Sequence, residues 1–212
     1  MKPGARPIPV GTPEFVCPCD GKVQDVGRAD GGKLLTTLKG IEYSLESLLP
    51  GIDAKPFEGG SFVVVFLSPI DCHRVFSPQD GTVEEIVHVP GARLLVHPPF
   101  QRPEFPVYTL NERVILRLST PFGPCLVVMV AGWGVGHITF PIAPGFRPGS
   151  KKVESHRWET PPAVKRGDWI ATFELGSTVM LLTPASLSAT PLVSSNEKVR
   201  YGQPVLRFHP PG

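Results

Sequence analysis

The 212-residue chain has almost no excess charge of one sign: 21 Lys and Arg stand against 19 Asp and Glu, a formal net charge of +2. No extended basic run occurs, so the electrostatic footprint of a nucleic-acid partner is missing. Long hydrophobic runs are missing too. The longest nearly uncharged apolar stretch, 126–138, is too short to cross a bilayer and holds three glycines. The opening MKPGARPIPVG has one Lys and one Arg with no apolar segment behind them, which argues against a secretory signal. The four cysteines, Cys17, Cys19, Cys72 and Cys125, form no CxxC pair and have no histidine at zinc-ligand spacing, so no metal site is read. These absences together predict a cytoplasmic protein with free thiols, at most peripheral to a membrane. Aromatics are only 8% of the chain, yet 41% of residues are apolar, enough for a real core.

Breakers are abundant: 26 prolines and 22 glycines exclude a helical bundle and favour short strands joined by tight turns. Three β-branched runs, 63–67 (VVVFL), 114–118 (VILRL) and 126–130 (LVVMV), read as buried strands. One short helix is expected at 44–49, with Ser44 as its cap and Pro50-Gly51 as its stop. Its Leu45, Leu48 and Leu49 form an apolar face better suited to core packing than to a membrane. The proline-rich stretches 89–106 and 141–162 read as surface loops. The expected fold is mainly β (α+β), a compact β sandwich or barrel-like hybrid with few short helices, built as a single domain over 1–212.

A weak internal echo links Pro18-Cys19-Asp20-Gly21-Lys22-Val23 to Pro78-Gln79-Asp80-Gly81-Thr82-Val83, both P-x-D-G-x-V. The plain reading is hairpin chemistry, with Asp-Gly supplying positive φ. The sharper reading is two pseudo-equivalent halves that open with the same turn.

Two stretches could carry chemistry. Gly176-Ser177-Thr178 is not a nucleophile elbow, because Val179 stands where G-x-S-x-G needs its second Gly. A serine directly after glycine can nonetheless attack the preceding carbonyl once a base removes its proton, giving an N→O shift and an ester. In Ser68-Pro69-Ile70-Asp71-Cys72-His73-Arg74, a strand runs into a turn where a nearby carboxylate can fix the tautomer of His73. The run Gly132-Trp133-Gly134-Val135-Gly136 is not G-x-G-x-x-G, so a dinucleotide site is rejected in favour of close strand packing.

Taken in order, six pieces of the chain resemble the phosphatidylserine decarboxylase family. They are Pro18-Cys19-Asp20-Gly21, Tyr43 through Leu49, Leu67 through Val75, Asn111-Glu112-Arg113-Val114, Thr120-Pro121-Phe122-Gly123-Pro124, and Lys165 through Val179. The resemblance implies a proenzyme that cleaves itself between Gly176 and Ser177, giving a β chain of 1–176 and an α chain of 177–212. Ser177 becomes an N-terminal pyruvoyl group, whose ketone forms a Schiff base with the substrate amine and takes up electrons as CO2 leaves. No metal or external cofactor is implied. The implied reaction turns phosphatidylserine, or a related serine phospholipid at a membrane surface, into phosphatidylethanolamine. The implied site is Ser177 with Asp20 as orienting carboxylate and His73 as base, later acid. The two cleaved chains stay together, and a homodimer is left open.

One departure matters. The family motif carries a second histidine, the triad's own, where this chain has Phe76. His73 is then expected to serve both self-cleavage and decarboxylation, with His137 in reserve. The alternative is a catalytically silent β-rich binding or scaffold module of the same fold.

Overall fold

The computed structural model describes residues 6–9, 11–36, 40–97, 99, 101–134, 137–173 and 177–209. Among these, nine strands form the main sheet. Its spatial order is Glu154–Arg157, Gly81–Val89, Arg113–Thr120, Gly123–Ala131, Ser177–Leu182, Ser61–Leu67, Gly21–Arg28 and Lys198–Val199, with Ala163–Val164 also paired to the Gly81–Val89 strand. Three small sheets surround it, and none of the four closes into a barrel. The mainly β expectation is borne out.

The three apolar runs lie inside the central strands because both faces of the sheet are covered. Every residue of Ser177–Leu182 is buried, which a continuous apolar run satisfies and an alternating one does not. Val65, Leu67, Met129, Ala131, Val179 and Leu181 face one apolar cluster, and Val64, Val128, Val130, Met180 and Leu182 face the other. The second cluster also takes Leu45, Leu48 and Leu49 from the short helix Leu45–Leu48, where Ser44 Oγ accepts the Ser47 N–H. That helix packs into the core, as its face predicted.

The echo has a structural basis that hairpin chemistry alone does not explain. Gly81 has no positive φ, whereas Gly21 has one, at 158°. Both are glycines because a neighbouring backbone leaves no room: a Cβ at Gly21 would lie 2.2 Å from the Phe66 carbonyl oxygen, and one at Gly81 2.1 Å from that of Ser119. The segments also bond to each other reciprocally, Val16 N–H to the Pro78 carbonyl and Phe76 N–H to the Pro18 carbonyl. Asp20 accepts the N–H of Tyr201, and Asp80 that of Arg166. Each donor precedes a glycine at φ 83°, Gly202 or Gly167, whose own N–H binds Cys17 or Ser77. The sharper reading, two related halves, is the one these bonds support.

Ile8 lies against both Gly202 and Gly167: a Cβ on either glycine would meet its side chain, at 3.2 and 1.9 Å. Arg166 ties down the same N-terminal segment by donating to the Pro9 and Thr12 carbonyls.

Two local expectations need correction. Residues 141–162 are not all loop, since Glu154–Arg157 adds an edge strand to the main sheet. The glycine run after the Gly123–Ala131 strand leaves the sheet in a turn, with Gly132 buried and Trp133 exposed. Val135 and Gly136 lie outside the described residues.

Candidate active site

Ser177 opens the central strand, with Leu67 as its partner on one side and Ala131 on the other. It is fully buried, and its hydroxyl has no hydrogen-bond partner among the described residues. Glu174, Leu175 and Gly176, including the expected cleavage position, lie outside the described residues.

His73 is held at the same end of the sheet by two bonds. Its Nε2 lies 3.1 Å from the carbonyl oxygen of Ser68, the residue after Leu67, while its own carbonyl accepts the Phe173 N–H at 3.0 Å. The His73 turn therefore touches Phe173, the end of the strand before segment 174–176, and follows Ser61–Leu67, the partner of the strand after it. A carbonyl only accepts, so Nε2 carries a proton in this contact, and Nδ1 is the nitrogen left without it. The tautomer is not set by a neighbouring carboxylate, as the sequence suggested. Asp71 instead closes the turn by accepting the Ser68 N–H at 2.8 Å.

Asp20 precedes Gly21, where the next strand enters at this end: Lys22 pairs with Phe66, which pairs with Thr178. Its carboxylate is bound by the Arg6 guanidinium through both oxygens, and Oδ1 also accepts the Tyr201 N–H at 2.9 Å. Asp20 holds Arg6's pKa above its usual value through this hydrogen bond. Arg6 lies 4.5 Å over the Tyr201 ring, and that ring stacks on Phe76 at 4.0 Å and 17°. The carboxylate expected to serve an imidazole thus pairs with a guanidinium, and position 76 belongs to an aromatic stack.

The structure brings Ser177, His73 and Asp20 to one end of three neighbouring strands without joining them by direct hydrogen bonds. His137 is exposed beside Ile138, which pairs with Phe173. A cavity of about 700 Å³ opens between Asp20 and the Ser68–Asp71 turn, bounded also by Lys22, Phe66, Lys198 and Arg200. Its size suits a small-molecule or headgroup site. No motif in the sequence points to Arg6 or Tyr201. Asn111-Glu112-Arg113 was visible as a motif, but its use was not. Asn111 Nδ2 donates at 2.8 Å to both the Leu94 and Ala131 carbonyls, and the Arg113 guanidinium donates to those of Ser47, Leu48, Thr109 and Asn111. Burial pushes the Arg113 pKa down to about 10.

This arrangement of a buried serine, a histidine turn and a carboxylate on an open β scaffold coincides with a clear family match. A family model described as phosphatidylserine decarboxylase matches residues 1–207. Curated proteins named phosphatidylserine decarboxylase proenzyme are similar over most of the chain. The one from Anaeromyxobacter sp. (strain K) is 36% identical over 97% of this chain and 74% of its own length. Those from Myxococcus xanthus and Halorhodospira halophila are 36% and 38% identical, over 86% and 88% of this chain and 65% and 64% of their own lengths. The class is thus a family whose curated members are proenzymes. The chain belongs to the phosphatidylserine decarboxylase family.

Proposed function

We propose that the chain is a self-processing decarboxylase of serine phospholipids, cleaved between Gly176 and Ser177, with Ser177 as the precursor of a pyruvoyl group. The observation that supports this most is the Ser177 hydroxyl, buried beside the His73 turn with no partner among the described residues. An unsatisfied buried hydroxyl costs on the order of 1–3 kcal/mol. Thr178 Oγ1 is likewise buried without a partner among the described residues. What sets Ser177 apart is its place directly after Gly176, where a serine hydroxyl can attack the preceding carbonyl.

In the proposed step, His73 Nδ1 takes the hydroxyl proton and Ser177 Oγ attacks the Gly176 carbonyl carbon. The peptide C–N bond breaks, the proton passes to the departing nitrogen, and an ester joins the two parts. Loss of the Ser177 Cα proton then expels the Gly176 carboxylate, and water replaces the residue's nitrogen, released as ammonia, to leave the ketone. When formed, the pyruvoyl group supplies a ketone that accepts the electron pair left by departing CO2. His73 is then the candidate to return a proton to the substrate carbon. Asp20, neutralised by Arg6, bounds the headgroup cavity and fixes the turn at Tyr201. The product is phosphatidylethanolamine, formed at a membrane surface to which the protein binds peripherally. Among the described residues, no helix is long and apolar enough to cross a membrane.

The second reading, a silent module of the same fold, is favoured by one observation: Phe76 and Tyr201 fill the place of the expected imidazole. Release of CO2 from phosphatidylserine by purified protein separates the two. The decarboxylase reading expects turnover that hydrazine blocks and that Ser177→Ala lacks. Absence of turnover from a folded wild type supports the silent module.

A further inference from the structure

The exposed large apolar side chains are not scattered. Of the nine among the described residues, six (Ile70, Leu94, Leu95, Phe105, Leu110 and Trp133) lie in three loops. All three loops leave the sheet at the Ser177 end. The first follows Leu67 and the second follows Ala131, the two partners of Ser177. The third joins Val89 to Arg113, and Arg113 pairs with Val130 beside Ala131. Asn111 draws this third loop in further by binding the Leu94 and Ala131 carbonyls with one amide group. Ile70 and Trp133 are 93% and 71% exposed, far more than isolated surface apolar residues need to be.

Charge at this end has one predominant sign. Exposed Lys22, Lys198 and Arg200 line the cavity that Ile70 also borders, and none of the three belongs to an ion pair among the described residues. Of the two carboxylates lining the cavity, Asp20 is neutralised by Arg6 and Asp71 is turned onto a backbone N–H. Beyond it, Glu112 pairs with Arg93, Glu197 accepts the Ser194 N–H, and exposed Glu104 in the third loop is outnumbered by Lys22, Lys198 and Arg200. A protein partner would need shape to match three separate loop tips. A fluid, anionic, interfacial layer needs only apolar tips that can enter it and cations that meet its phosphates.

We propose that the Ser177 end of the sheet is a docking face for an anionic lipid bilayer, with Ile70 and Trp133 as its inserting tips and Lys22, Lys198 and Arg200 as its headgroup contacts. The choice of a bilayer rests on the phospholipid-substrate reading together with this charge pattern. Docking would set the cavity mouth at headgroup depth, so that a serine headgroup reaches it without the lipid leaving the layer.

The test is co-sedimentation of the full chain with vesicles of phosphatidylcholine plus phosphatidylglycerol, an anionic lipid that the proposed reaction does not consume. Wild type is expected to bind these vesicles more tightly than vesicles of phosphatidylcholine alone, with affinity falling as salt rises. The double substitution Ile70→Ser, Trp133→Ser should weaken binding at least about tenfold, from the lost burial of two large side chains. Lys22→Gln with Lys198→Gln should weaken it by roughly tenfold and flatten the salt dependence. Cleavage at Ser177 and CO2 release from soluble glycerophosphoserine are measured beside binding. A wild type that processes itself but ignores both vesicles, or an Ile70/Trp133 variant that binds unchanged, overturns the docking face and leaves the decarboxylase reading standing. Tight, tip-dependent binding by a chain that neither cleaves nor releases CO2 supports the face and removes the reading.

Discussion

The turns at Asp20 and Asp80 are built alike and surrounded differently. In each, an aspartate accepts the N–H of a residue just before a left-handed glycine, and a second glycine lets a neighbouring strand pass. Asp80 opens its strand at the end away from Ser177, since the far end of that strand, Val89, pairs with Arg113 at the Ser177 end. The backbone bond of Asp20 is therefore architecture, shared with a copy that has no serine beside it. What distinguishes the Asp20 side is the layer over it: Arg6 on the carboxylate and on Tyr201, Tyr201 on Phe76, and a cavity leading to the His73 turn. Function belongs to that layer, and an argument from the aspartate alone would fit both turns.

The largest effects should come from residues that have no counterpart in the Asp80 half. Ser177→Ala is expected to abolish cleavage completely while thermal stability stays level or rises, because it removes an unpaired buried hydroxyl. His73→Ala should slow cleavage by roughly 10² to 10⁴ on a gel time course, the usual weight of a general base. His137→Ala, at an exposed position, should cleave at the wild-type rate. The reverse pair of results would move the base to His137.

Substitutions common to both halves test the architecture. Gly21→Ala and Gly81→Ala each force a Cβ against a backbone carbonyl and should destabilise by similar amounts, at least about 1–3 kcal/mol in urea melts. A mild result at one and a severe result at the other would break the equivalence. Asp20→Asn and Asp80→Asn both keep an acceptor for the backbone N–H, so neither should lower stability by much. Only Asp20→Asn, which takes the countercharge from Arg6, should slow cleavage, on the order of tenfold for one charge-assisted bond.

The smallest effect concerns position 76. Phe76→His restores a group with an ordinary pKa near 6.5, but Asp20 is already bound by Arg6. The single variant should gain little, and Phe76→His with Arg6→Gln should cleave faster than either alone. Loss of the Tyr201 stack should lower stability by about 0.5–1.5 kcal/mol, followed by thermal denaturation. If the single variant already reaches the double variant's rate, Arg6 does not restrain Asp20.

Much of this was legible in the sequence for definite reasons. Val63–Leu67 and Leu126–Val130 announce themselves because strands buried on both faces need unbroken apolar runs. Glu154–Arg157 does not, since an edge strand with two exposed residues has no apolar pattern to show. Ser177, His73 and Asp20 were visible as local motifs, and the structure gathers them at one end. Arg6 and Tyr201 were not, because they meet Asp20 across 14 and 181 residues of chain, with no motif at either. The echo at Asp20 and Asp80 was visible with two readings, hairpin turns or related halves, and only the tertiary bonds separate them. Close approach of another strand leaves the same Asp-Gly in the sequence as a tight turn does.

Intact-mass measurement on freshly purified protein bears most directly on the account. The account predicts two species, residues 1–176 and a fragment of 177–212 of roughly one sixth of the 23.0 kDa chain, the smaller one carrying a hydrazine-reactive carbonyl in place of its N-terminal amine. A single 23.0 kDa species that persists on incubation, in a protein that melts cooperatively, would contradict it.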